Sequence, residues 1–159
     1  MDHPEKTCCF TGHRQLPNEA IPALRVRLRR ELERQIGQGF RFFAAGGARG
    51  FDTLAAQAVL ELRETHPHIR LILVLPCPDQ TRGWNQADKE AYEAVRRAAD
   101  KAVYVSDRYT SGCMLARNRR LVEGSGLCLC YLTQPRGGTR YTVEYCRRRG
   151  VPVINLADE

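Results

Sequence analysis

Six short runs of this sequence are apolar at nearly every position rather than at every second one: 7–11, 40–45, 69–75, 102–105, 127–133 and 151–156. A strand with that pattern must be covered on both faces, because successive side chains point to opposite sides of a sheet. Between the runs the apolar spacing changes to that of a helix. Ile21, Leu24, Leu28, Leu32 and Ile36 share one face of the segment from Asn18 to Ile36, with Arg25, Arg29, Arg30 and Glu33 largely opposite. Phe51, Leu54, Ala55, Ala58, Val59 and Leu62 repeat the spacing up to His66-Pro67, and further helices are expected over 85–99, 113–123 and 139–149. This alternation specifies an α/β fold: a doubly wound, mostly parallel sheet of about six strands with helices on both faces. The expected architecture is a Rossmann-like three-layer sandwich with right-handed crossovers.

The length of 159 residues fits a single domain over 1–159. No apolar run approaches the roughly 18 residues that span a bilayer, and Met1-Asp2-His3-Pro4-Glu5 is not the start of a signal peptide. A cytoplasmic location without membrane contact is therefore expected. The net charge is +7, and Arg supplies nearly all of the basic residues. Arg favours bidentate contact with phosphate, so an anionic partner stands beside the alternative of solvated Arg-rich helices. The Arg25 to Arg34 face has no interleaved aromatic residues and reads as a solvated surface rather than a nucleic-acid platform. The seven cysteines form no CxxC pair and no zinc-spaced cluster with His. Reduced, buried thiols are expected, with no metal and no cofactor; Cys128 and Cys130, two apart on one strand, are read as small apolar groups.

Ligands of a doubly wound sheet bind beyond the carboxyl ends of its strands. Gly37, Gly39, Gly124, Gly126 and Gly150 follow helices, where capping accounts for them. Gly12, Gly46, Gly47, Gly50, Gly137 and Gly138 instead lie between a strand and the next helix, at the opposite edge. There glycine lets backbone N–H groups approach an anion, and the helix that follows adds unpaired donors and the positive end of its dipole. Three such junctions carry Arg or Thr nearby: 11–14, 46–52 and 136–142. A phosphate-bearing ligand is the leading expectation. GxGxxG and GxxxxGK[ST] are both absent, which argues against hydride transfer and ATP hydrolysis; no GxSxG elbow occurs, and His13 has no nucleophile partner by spacing. Trp84 is expected to anchor a helix in the core, Tyr109 and Tyr141 to fall near the cleft, and His66 and His68 to lie at the surface.

Four ordered segments then carry a family resemblance. They are Cys9-Phe10-Thr11-Gly12-His13-Arg14; Gly46-Gly47-Ala48-x-Gly50-x-Asp52 with Ala55-Ala56; Tyr109-x-x-Gly112-Cys113-Met114-x-x-Arg117-Asn118-x-x-Leu121-Val122; and Gly137-Gly138-Thr139-x-Tyr141-Thr142. The chain resembles the YpsA-like branch of the SLOG superfamily, which also includes the LOG phosphoribohydrolases and the DNA-processing protein DprA. The resemblance implies a bacterial Rossmannoid protein that binds a nucleotide or nucleotide derivative of the ADP-ribose kind, in a sensing or regulatory role. It implies a first ligand loop of Gly12, His13 and Arg14 and a second of Gly46, Gly47, Ala48 and Gly50. Arg117 and Asn118 would meet an anionic group, and Gly137, Gly138, Thr139 and Thr142 would cradle phosphate. Asp52, near a helix start, is open to both backbone capping and ligand contact. LOG enzymes carry PGGxGTxxE at the last loop; this chain lacks the GxGT spacing and Glu144 is out of register, so no catalytic residue is assigned. N-glycosidic cleavage of nucleoside monophosphates and single-stranded DNA binding in the DprA manner are the alternatives; nucleic acid is not the favoured partner. A homo-oligomer is expected, as for many such folds.

Overall fold

Every central strand sends alternate side chains into two unlike layers. In the computed structural model, which describes residues 2–158, the strands are β1 (Thr7–Gly12), β2 (Phe42–Ala45), β3 (Arg70–Leu75), β4 (Lys101–Tyr104), β5 (Leu127–Tyr131) and β6 (Val153–Asn155). They form one wholly parallel sheet in the order β4-β3-β2-β1-β5-β6. The helices are α1 (Ile21–Gly37), α2 (Phe51–Arg63), α3 (Gln86–Ala98), α4 (Cys113–Glu123) and α5 (Gly138–Arg149). α1, α2 and α3 pack side by side on one face, and α4 and α5 on the other. The doubly wound three-layer architecture expected from the pattern is therefore present.

The first face is built of large side chains: Phe10, Phe43, Leu71, Leu73, Leu75, Leu129 and Tyr131 meet Leu24, Leu28, Leu32 and Val59 of α1 and α2. Fully burying one such side chain contributes about 1.5–3 kcal/mol. The second face is built largely of small ones. Cys9, Ala44, Cys128 and Cys130 lie beneath Leu121 and Val122 of α4 and Val143 and Cys146 of α5. In register, Cys9 stands between Ala44 and Cys128. The cysteines are thus a volume choice that lets two helices approach the sheet closely. All seven are free and buried, and no group that could hold a metal occurs among the described residues.

Element ends depart from the sequence pattern by one to three residues, each for a visible reason. The run at 40 begins pairing only at Phe42, because the Phe40 amide closes the end of α1 on the Gln35 carbonyl at 3.0 Å. β5 stops at Tyr131 since the next amide donates to the Asn155 side chain at 3.1 Å. Asn18–Ala20 is a 3-10 turn, after which Pro22 sits in the first turn of α1, where it has no amide to lose. Gly126, placed among the caps by its sequence context, has another duty: a Cβ there would lie 2.7 Å from the Pro4 carbonyl oxygen. No helix among the described residues is long and apolar enough to cross a membrane.

Because the cysteine layer is closely packed, Cys128→Leu should destabilise the fold by about 1–3 kcal/mol in denaturant unfolding, the usual cost of overpacking. Ellman's reagent should react with all seven thiols of the parent only once it is unfolded.

Candidate functional site

The strands are laid down outward from β1 to β4, and the chain then crosses by α4 to place β5 on the other side of β1. At that reversal the loops after β1 and β5 diverge, which leaves a crevice at the carboxyl edge. A cavity of about 520 Å³ occupies it. Gly12, His13, Arg14 and Gln15 line it from β1, Ala48 and Asp52 from the β2–α2 junction, and Arg117 and Asn118 from α4; Gln134, Arg136, Gly137, Gly138 and Thr139 complete it from the β5–α5 loop. Four distant segments of the chain thus meet at one rim.

Arg117 is the pivot of this arrangement. It lies on α4 with only 4% of its surface exposed, so it is not a solvated helix residue. Its Nη1 donates to the Gly46 carbonyl, its Nε donates to Asn118 Oδ1 at 2.7 Å, and its Nη2 contacts the Met114 sulfur at 3.8 Å. Gly46 must be glycine for this to happen, since a Cβ there would lie 2.6 Å from Nη1. Burial lowers the pKa of the guanidinium, Asp52 pulls it back up, and Arg14 lowers it. An arginine stays charged under such shifts, so the cavity wall carries a permanent, poorly solvated positive charge.

Asp52, in the first turn of α2, does both things its position allows: it accepts from the Ala48 amide at 3.2 Å and it lines the cavity. Its carboxyl is pushed up to about 6 by burial, against the opposing pull of Arg117, the Ala48 amide and Arg14. The β1 and β2 loops are held together backbone to backbone. The Phe51 amide donates to the His13 carbonyl at 3.1 Å, and a Cβ on Gly50 would lie 2.5 Å from the His13 and Arg14 carbonyl oxygens. His13 in turn accepts the Thr133 amide on Nε2 at 2.9 Å. Since a backbone N–H can only donate, this bond requires a neutral ring protonated at Nδ1, consistent with burial lowering its pKa.

The β5–α5 loop is built differently. Gly137 at φ +105° precedes α5 without a side-chain cap, and nothing lies within 4 Å of where a Cβ of Gly137 or Gly138 would stand. Among the described residues no acceptor serves the amides of Gly138, Thr139 and Arg140, and the loop lines the cavity, the arrangement that suits an anion at a helix N-terminus.

The three glycine-bearing junctions come together, but Gly46, Gly47, Gly50 and Thr142 stand outside the cavity lining. Gly46 and Gly50 make room for protein. Gly47, at φ +72°, leaves no space against Leu75, and the Thr142 hydroxyl is spent on the Gly138 carbonyl at 2.9 Å. Tyr141 accepts from Arg119 on the outer face of α5, and Glu144 pairs there with Arg140 and Arg147. Gln15, Gln134 and Arg136 do line the cavity; their place immediately after β1 and β5 is the signal that identifies them. A second cleft of about 370 Å³ shares Arg14 with the first and holds Arg49, Trp84 and Tyr109. Trp84 is half-buried against the core, as a helix anchor should be, and also faces this cleft.

An anion entering the first cavity would raise the Asp52 pKa further, so binding and protonation should reinforce each other. Sulfate, which does not titrate in this range, should bind at least about threefold more tightly at pH 5.5 than at pH 7.5 by calorimetry. Asp52→Asn should abolish that difference; if the variant keeps it, His13 rather than Asp52 carries the proton.

Comparison with known proteins agrees with this architecture. A UPF0398 protein of Halalkalibacterium halodurans is 32% identical over 117 residues, 72% of this chain and 62% of that protein. The UPF0398 protein YpsA of Bacillus subtilis is 25% identical over 135 residues, 83% and 75% of the two chains. The chain thus spans less than two thirds of the first of these relatives. Among solved structures, DNA processing protein A of Helicobacter pylori, described for its single-stranded DNA binding mode, superposes with a TM-score of 0.65 at 16% identity. That likeness covers 92% of this chain and 63% of the other, and it shows a shared fold. Residues 9–150 match the family model described as YspA SLOG, and the chain therefore belongs to the YspA SLOG family.

Proposed function

We propose that this protein binds a nucleotide-derived small molecule through its phosphate, in a sensing or regulatory rather than a hydrolytic role. The observation that carries the reading is the uncapped start of α5, open at Gly137 and Gly138, facing a cavity that also holds Arg14 and the buried Arg117. A phosphate there meets backbone donors, a helix N-terminus and guanidinium groups together. Hydrolysis of an N-glycosidic bond needs a carboxylate beside the sugar. The one carboxylate in the lining, Asp52, is already engaged by the Ala48 amide, and Glu144 is tied to two arginines on the outer face of α5. Release of free base from a nucleoside monophosphate would overturn the non-hydrolytic part of this reading.

Single-stranded nucleic acid is the second reading. It is supported by the net charge of +7 and by the DNA-binding neighbour of the same fold. A labelled oligonucleotide whose affinity falls steeply with salt would favour it.

Gly138→Val tests the first reading at a position where an added Cβ has no atom of another segment within 4 Å. In a thermal-shift panel of ADP-ribose, AMP, ADP and ribose 5-phosphate, a true ligand at about 100 times its Kd should stabilise the parent by about 2.7 kcal/mol. Gly138→Val and Arg14→Ala should melt like the unliganded parent and lose that shift. Equal shifts in parent and variants would put the phosphate elsewhere.

A further inference from the structure

The second cleft has what the first lacks, exposed aromatic surface. Arg49 lies with its guanidinium carbon 5.0 Å from the centre of the Trp84 ring, and Tyr92 supports the indole edge-on at 5.7 Å and 88°. Tyr109, on no helix or strand, lines the same cleft with 61% of its surface exposed. The layered Trp84 and Arg49 give a flat, cationic platform, and bases stack on both aromatic rings and guanidinium planes.

A second, independent observation lies in the hydrogen bonding. Gln80 is 6% exposed, and its Nε2 donates to the Gly46 carbonyl at 3.5 Å, which leaves its Oε1 buried without a donor. Arg49 Nε and the Tyr92 hydroxyl are likewise buried without partners. Gln80 and Arg49 both line this cleft, so two orphaned polar atoms belong to its walls, although native proteins satisfy nearly all such groups. One of these atoms accepts and the other donates, and the edge of a base offers both kinds of partner.

The two clefts are also joined. Arg14 lines both, and Arg117, in the wall of the first, touches Met114, in the wall of the second. We propose that the second cleft is a base-stacking subsite, in which a nucleobase lies between the Arg49–Trp84 platform and Tyr109 while the phosphate of the same ligand occupies the first cavity. This rests on the phosphate-binding reading and names the remainder of the ligand as an aromatic base.

Trp84 is the only tryptophan of the chain, so its fluorescence reports this cleft alone. AMP, GMP, CMP and UMP are titrated against ribose 5-phosphate and sulfate, with thermal shift read in parallel. The expected result is saturable quenching by at least one nucleoside monophosphate and none by ribose 5-phosphate or sulfate. Tyr109→Ala, at an exposed position, should weaken that nucleotide by about tenfold and leave ribose 5-phosphate unchanged. A nucleotide that shifts the melting temperature without quenching Trp84, and binds Tyr109→Ala as well as the parent, overturns the stacking subsite and leaves phosphate binding standing. If neither ribose 5-phosphate nor any nucleotide shifts the melting temperature or quenches, both fail together.

Discussion

A guanidinium buried beneath the carboxyl edge of the sheet fixes most of what surrounds it. Taking such a charge out of water costs several kcal/mol unless its donors are engaged and a counter-charge lies near. Arg117 meets these demands with the Gly46 carbonyl, the Asn118 side chain and the field of Asp52. Each partner then loses its own freedom. Gly46 can carry no side chain, Asp52 must remain buried at the start of α2, and the turn between them is pinned by the bond from Ala48 to Asp52. The resulting positive wall exists before any ligand arrives, in a setting where the effective dielectric is low and its reach correspondingly long.

The glycines at this edge therefore divide by task. Those after β1 and β2 allow protein to approach protein: Phe51 covers Gly12, Arg117 covers Gly46, and the β1 loop covers Gly50. Those after β5 are covered by nothing. Rigid loops on one side and an open helix start on the other give a cleft with one free bank, and the free bank carries the unpaired amides. An anion binding there would find the opposite wall already in position, so little ordering entropy remains to be lost.

How much of this could be read from the residues follows from the range of the interactions. The parallel sheet was legible because strand burial and helix periodicity are local patterns. The convergence of the 11–14, 46–52 and 136–142 segments followed from their common position between strand and helix. The separate tasks of the glycines were not legible, since Gly46 answers to a residue 71 positions away and His13 accepts from one 120 positions away. No spacing rule connects such pairs. Trp84 shows the same limit: its apolar ring marked it for the core, and half of it does pack there, but its outer surface belongs to a cleft completed by Arg14 and Tyr109.

The cysteine layer and the buried arginine belong to one design. α4 can lie close to the sheet because Cys9, Ala44 and Cys128 beneath it are small, and Leu121 and Val122 fill the space that remains. One turn earlier on the same helix, that closeness lets the Arg117 side chain pass under the end of β2 and reach a carbonyl there. Bulkier residues in the layer would lift α4 away and break the bond to Gly46, even though no cysteine lines the cavity. The composition of the second core layer is thus a condition of the site, and its small side chains matter for where they let α4 rest rather than for any chemistry of their thiols.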